Sequence, residues 1–149
     1  MNIVASISID RPADVVWQAI TAIEHSQEMI SSILNITVLH QPEAGVVGLK
    51  WEETREMFGK EAMETMWITD AVTNEFYTTR AESHGSIYTT ALNLRAQAGG
   101  TELTLSFGAV TQSYLTRILA FLTWPFIKSS LKKSLLKDLQ DIKVYIEKK

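Results

Sequence analysis

The sequence predicts an α+β fold: one strand, two short helices, six further strands in antiparallel succession, then a long C-terminal helix. Three observations predict it. Asn2 to Ile9 places Ile3, Ala5, Ile7 and Ile9 on one face with a period of two. From Leu34 to Val110 similar alternation is broken by turn residues at short intervals. In the tail, Leu131, Leu135, Leu139, Ile142 and Ile146 recur at spacings of three and four. The 149 residues suit one domain, 1–149, large enough to bury a core. No internal repeat, low-complexity stretch or linker divides them.

After the first strand, "DRPAD" reads as a helix start, with Asp10 able to cap, Pro12 suited to the first turn and Asp14 complementing the dipole. Val15, Val16, Ala19, Ile20 and Ile23 then form a helical stripe. A second short helix is expected over His25 to Ser32. Ile36, Val38 and His40 alternate with Thr37 and Leu39 ahead of the turn-like "QPEAG". A hairpin over about Gly48 to Asp70 turns at Gly59-Lys60, and a second joins Glu75–Ser83 to Ser86–Gln97 about His84-Gly85. "AGG" leads into Thr101 to Val110, where Leu103, Leu105, Phe107 and Ala109 share a face. In the tail Lys132, Lys133, Lys137, Asp138, Asp141 and Lys143 fall off the apolar stripe, and Pro125 is expected to kink or begin the helix.

The first hairpin sets a puzzle. With Gly59-Lys60 as a two-residue turn, Met57 opposes Ala62, Arg55 opposes Glu64 and Glu53 opposes Met66. The face carrying Trp51, Met57, Ala62, Met66 and Ile68 is apolar enough to be the inside, yet Glu53, Arg55 and Glu64 share it.

Composition excludes several classes. With 46% hydrophobic and 21% charged residues the chain is an ordinary globular one, and a net charge of −3 gives no broad attraction to nucleic acid. "GVVG" at 45–48 has the glycine spacing of an RNA-binding loop but leads into a strand, not between helices. The absence of cysteine excludes disulfides, zinc–cysteine sites and a thiol nucleophile, and suits a cytoplasmic protein. The three histidines lack ligand-like spacing, and neither G-x-S-x-G nor H-E-x-x-H occurs, so no metal or other cofactor is expected. His84 reads as a turn residue, His25 as a helix-start residue, and His40 as structural or as the end of an inward face. The N-terminus lacks the features of a signal peptide. The longest apolar stretch, Tyr114 to Ile127, is shorter than the roughly 18 to 20 residues of a spanning helix, and Arg117 and Pro125 interrupt it.

The order of elements and four segments, "SISIDRPADVVWQAITAIE", "GLKWEETREMFGKE", "GGTELTLSF" and "LKKSLLKDLQDIKVYIE", together resemble the SRPBCC superfamily. Within it the likeness is to the bacterial polyketide cyclase/dehydrase-like and lipid-transport-like branch; START domains and the birch-pollen allergen family belong to the same superfamily. The resemblance implies a helix-grip fold, a curved antiparallel sheet around the C-terminal helix, with a cavity for a hydrophobic ligand between them. Tyr77, Thr79, Ala81, Ser83, Ser86, Tyr88, Thr90, Leu92 and Leu94 would then share a face suited to a pocket wall. Glu53, Arg55 and Glu64 would be polar fixtures in that cavity, orienting a polar group of the ligand. A structural ion pair, or a register that leaves all three in solvent, would also account for them. By resemblance Tyr114, Ile118, Leu122 and Phe126, near the start of the long helix, are expected to line the entrance.

The leading expectation is therefore a non-enzymatic binder of a small lipid-, isoprenoid- or polyketide-like molecule, held by Trp51, Glu53, Arg55, Glu64, Met66, Tyr77, Tyr88, Phe107, Ile118 and Leu122. The alternative is a polyketide cyclase/aromatase or dehydratase, with Arg55 stabilising an enolate and Glu53 or Glu64 transferring protons. Lys128, Lys132, Lys133 and Lys137, close to Phe121, Trp124 and Phe126, suggest either transient contact with a membrane surface or a solvated helix face over core aromatics.

Overall fold

The structure is a computed structural model that describes residues 2–57, 59–83, 85–111 and 113–148. Strand β1 (Asn2–Ile9) is followed by helix α1 (Ala13–Thr21), a single 3-10 turn (Ile23–His25) and the short helix α2 (Ser26–Met29). Strands β2 (Ile33–His40), β3 (Lys50–Met57), β4 (Lys60–Val72), β5 (Phe76–Ser83), β6 (Ser86–Gln97) and β7 (Gly100–Thr111) then meander to α3 (Tyr114–Glu147). All seven strands form one antiparallel sheet in the order β1-β7-β6-β5-β4-β3-β2. The sheet and the long helix make the expected helix grip. Because β1 and β2 are the two edges, the α1–α2 segment carries the chain from one side of the sheet to the other.

Alternation decides which sheet face is inside. Ile3, Ala5 and Ile9 of β1, Leu103 and Leu105 of β7, Leu92 of β6 and Ile68 of β4 are buried, and the C-terminal half of α3 packs over them through Leu131, Leu135, Leu139, Ile142 and Ile146. From α1 the buried residues are Val16, Trp17 and Ile20. Val15, expected in that stripe, is exposed, and the indole of Trp17 takes the inward position, edge-on to Tyr77 at 6.1 Å. The hydroxyl of Tyr77 donates to the Ile20 carbonyl at 3.1 Å, so a buried phenol ties the sheet to the end of α1.

The termini are joined by polar contacts. Asp10 does not cap α1; the helix begins after Pro12 without a side-chain cap. Instead the Asp10 backbone N–H donates to Glu147 Oε2 at 2.9 Å, and Lys143 Nζ donates both to Glu147 and to the Ser8 carbonyl. Gly100 opens β7 against this corner, where a Cβ would lie 2.2 Å from the Ile9 carbonyl oxygen. No side chain fits there.

Three further expectations are corrected. The first hairpin pairs Met57 with Lys60, Arg55 with Ala62 and Glu53 with Glu64, so its turn comes one residue earlier than expected. Gly59 adopts φ +77, so it belongs inside the turn and Lys60 in the strand. Moving the turn by one residue shifts the pairing by two, which leaves every side chain on its expected face. The second expected helix is shorter than His25–Ser32, because Ile33 already pairs with Arg55 as the first residue of β2. Pro125 does not begin α3 but lies inside it. The second hairpin has the expected register, Ser83 opposite Ser86; His84 lies outside the described residues.

Candidate functional site

Between the inner face of the sheet and the C-terminal half of α3 lies a cavity of about 170 Å³. Its apolar wall comes from Ile20, Ile23, Met29 and Ile30 before β2, from Trp51, Met57 and Met66 on the first hairpin, and from Leu131, Leu135 and Ile142 on α3. Thr79 and Thr90, directly opposite each other on β5 and β6, are small enough to leave space. That is why the helix does not fill the grip.

The charged residues of the first hairpin open into this cavity. Arg55 Nε donates to Glu53 Oε2 at 3.1 Å, and Arg55 Nη1 donates to Asp138 Oδ2 on α3 at 2.7 Å. Residues 53 and 55 are next-but-one on β3 and so share a face. Asp138 meets them because α3 crosses that face. The outer atoms of the network are held as well: Trp51 Nε1 donates to Glu53 Oε1 at 3.4 Å, and Ser32 Oγ donates to Asp138 Oδ1 at 3.1 Å. The Arg55 side chain is 21% exposed, Glu53 12% and Asp138 7%. Burial alone would lower the Arg55 pKa, but the charges and hydrogen bonds of Glu53 and Asp138 reverse this and raise it. Arg55 is therefore a permanent cation with two carboxylates fixed upon it.

Glu64 stands directly opposite Glu53 across the hairpin and also lines the cavity. Among the described residues none donates a hydrogen bond to it. Burial, then the charge of Glu53, pushes its pKa up, with Arg55 partly opposing. Tyr77 is pushed up as well, by burial and then by Glu53, which keeps its hydroxyl protonated as the donor to Ile20.

Trp51, Glu53, Arg55, Glu64, Met66, Tyr77 and Phe107 all line the cavity. Tyr88 stands behind, stacked on Phe107 with ring centroids 5.9 Å apart. Ile118 and Leu122 do not line it: they are 46% and 63% exposed, and Tyr114 and Phe126, the other expected entrance residues, are 77% and 81% exposed. The helix reaches the cavity only from Leu131 onward, so its first half lies beyond the cavity rather than across its mouth. His40 is exposed at the end of β2, past a bulge that follows Val38. Asp138 is the residue the sequence reading placed on the wrong face. Its spacing carried the signal, since it follows Leu135 by three and precedes Ile142 by four.

Among the described residues no group of His, Asp or Glu is arranged to hold a metal ion, and no helix is long and apolar enough to cross a membrane.

Fold and cavity together define a helix-grip protein with a mostly apolar interior and one charged corner. Residues 1–147 match the family model described as polyketide cyclase/dehydrase and lipid transport, and the chain belongs to that family. Solved structures with the same fold include a START superfamily protein from Mycobacterium smegmatis (TM-score 0.82, 10% identity, covering 99% of this chain and 97% of that one). Others are TTHA0849 from Thermus thermophilus (0.81, 12%, 98% and 97%) and the Zhui aromatase/cyclase from Streptomyces sp. R1128 (0.81, 11%, 99% and 93%). At such identities the likeness is one of fold. Comparison with curated protein sequences finds no match.

Proposed function

We propose that the chain binds a compact hydrophobic molecule in this cavity, and that the ligand's polar end is neutral or cationic rather than acidic. The observation that carries the reading is the charge balance of the corner the ligand would face. One guanidinium meets two carboxylates, Glu53 and Asp138, and Glu64 adds a third carboxyl with no donor of its own among the described residues. An anionic ligand would need a cation to itself, and Arg55 is already compensated. A hydroxyl suits the site best, because it can donate to a carboxylate and accept from the Nη2 group of Arg55. The volume points to a modest ligand, since an apolar cavity of about 150 Å³ accommodates benzene.

The test uses one scaffold with three ends: 4-phenylbutan-1-ol, 4-phenylbutylamine and 4-phenylbutyrate, titrated calorimetrically at pH 8. The alcohol and amine are expected to bind at least about tenfold more tightly than the acid, the worth of one unfavourable charge contact of about 1.4 kcal/mol. Equal or tighter binding of the acid would overturn the charge assignment while leaving the cavity reading intact. Failure of all three, with no thermal shift from a wider apolar panel, would overturn the cavity reading itself.

One observation favours a second reading, a cyclase/aromatase or dehydratase. Glu64 is a cavity carboxyl with a raised pKa, the property a proton-transferring acid needs. Against it, Arg55 has two of its three nitrogens committed to carboxylates, which reduces what it can offer an enolate.

A further inference from the structure

The first half of α3 presents apolar side chains to solvent where a globular helix would present polar ones. Tyr114, Leu115, Phe121 and Phe126 are all at least 77% exposed, and Ile118, Leu119 and Leu122 are exposed beside them. At 100° per residue these seven occupy a single arc of about 160°. Trp124 lies on the other side of the helix and packs against the core. Apart from Ile127, which is 41% exposed and lies outside the arc, the exposure is one face anchored from behind and not a scatter of single residues such as any surface carries.

Charge identifies what covers it. Between Tyr114 and Lys137 there are five basic residues and no acid, in a chain whose net charge is −3. Lys128, Lys132 and Lys133 are exposed, and the last two continue the apolar arc along the helix. A second copy of this face would bring like charges together. A surface of anionic headgroups over acyl chains complements both features.

We propose that the first half of α3 docks on an anionic lipid surface, its apolar arc at the headgroup boundary and its lysines against lipid phosphates. The apolar stretch from Tyr114 to Ile127 is about 21 Å long, less than the roughly 30 Å hydrocarbon core, so it lies in the interface and does not span. Leu131 lines the cavity about one turn beyond Ile127, which places the cavity's helical wall next to the docked surface.

The experiment is co-sedimentation of the full chain with phosphatidylcholine vesicles, with and without an equal share of phosphatidylglycerol. Binding is expected only with phosphatidylglycerol and to weaken as salt is raised. Two variants, Phe121→Ser with Phe126→Ser, and Lys128→Glu with Lys132→Glu and Lys133→Glu, should each weaken it at least about tenfold. All these side chains are exposed, so the melting temperature and phenylbutanol binding should stay unchanged. Absence of binding to the anionic vesicles, or binding that survives charge reversal, would overturn the proposal. So would a dimer by light scattering that Phe121→Ser with Phe126→Ser dissociates, since the face would then belong to a second copy.

Discussion

Asp138 and Glu64 are two acids at one site with opposite consequences for stability. Asp138 supports Arg55 and accepts from Ser32. Asp138→Ala leaves the guanidinium with one carboxylate in a nearly closed corner, and a loss of about 3 kcal/mol in urea unfolding is expected. Asp138→Asn, which keeps hydrogen-bonding capacity towards both partners, should cost less; an equal cost would show that the geometry is not what matters. Glu64 behaves differently because folding raises its pKa. The folded protein then holds the proton more tightly than the unfolded chain, so stability falls as pH rises from the ordinary glutamate range through the raised value. Glu64→Gln should therefore stabilise the protein at pH 8, with the gain fading below about pH 4. Denaturation midpoints at the two pH values decide it, and a gain of the same size at both would contradict the assignment. At this scale the sequence revealed half the network. Alternation along a strand is strict, so Glu53, Arg55 and Glu64 were placed on one face, but alternation left open whether that face met cavity or solvent. Asp138 was missed because an acid amid lysines reads as solvent-facing until its position between Leu135 and Ile142 is weighed.

Among the elements, the two hairpins show which local signals suffice. In the second the register was legible, with Ser83 opposite Ser86 as read. In the first the turn was placed one residue late, since alternation fixes faces and says nothing about which residues oppose each other. The long helix shows the converse. Its C-terminal stripe was legible from spacing, whereas its first half, apolar over a wide arc, gave no sign of which way it faced. Gly100 provides a test at this scale. Its missing Cβ makes room for the Ile9 carbonyl, so Gly100→Ala must part β7 from the end of β1. A cost of about 1–3 kcal/mol is expected. Thermal unfolding would show it as a lower melting temperature, and an unchanged one would mean that the corner yields freely.

For the whole molecule, the order of elements was legible from periodicity, whereas the grip of the sheet on the long helix was expected from the family resemblance. The cavity was less legible. Its existence depends on small residues such as Thr79 and Thr90 facing each other under the helix, and strand order alone does not measure the gap. The order of the sheet also governs how the chain can assemble. Strands β2 to β7 each pair with a neighbour in sequence and can zip as they emerge. β1 cannot. Its ladder is with β7, Asn2 opposite Gly108 and Ile9 opposite Thr101. β1 must wait for β7 before it can pair, so this long-range ladder closes only after the chain between them has been made. When it comes, Lys143 and Glu147 bind the same corner. β1 and the end of α3 thus act as a latch that shuts only once the strands between them are in place.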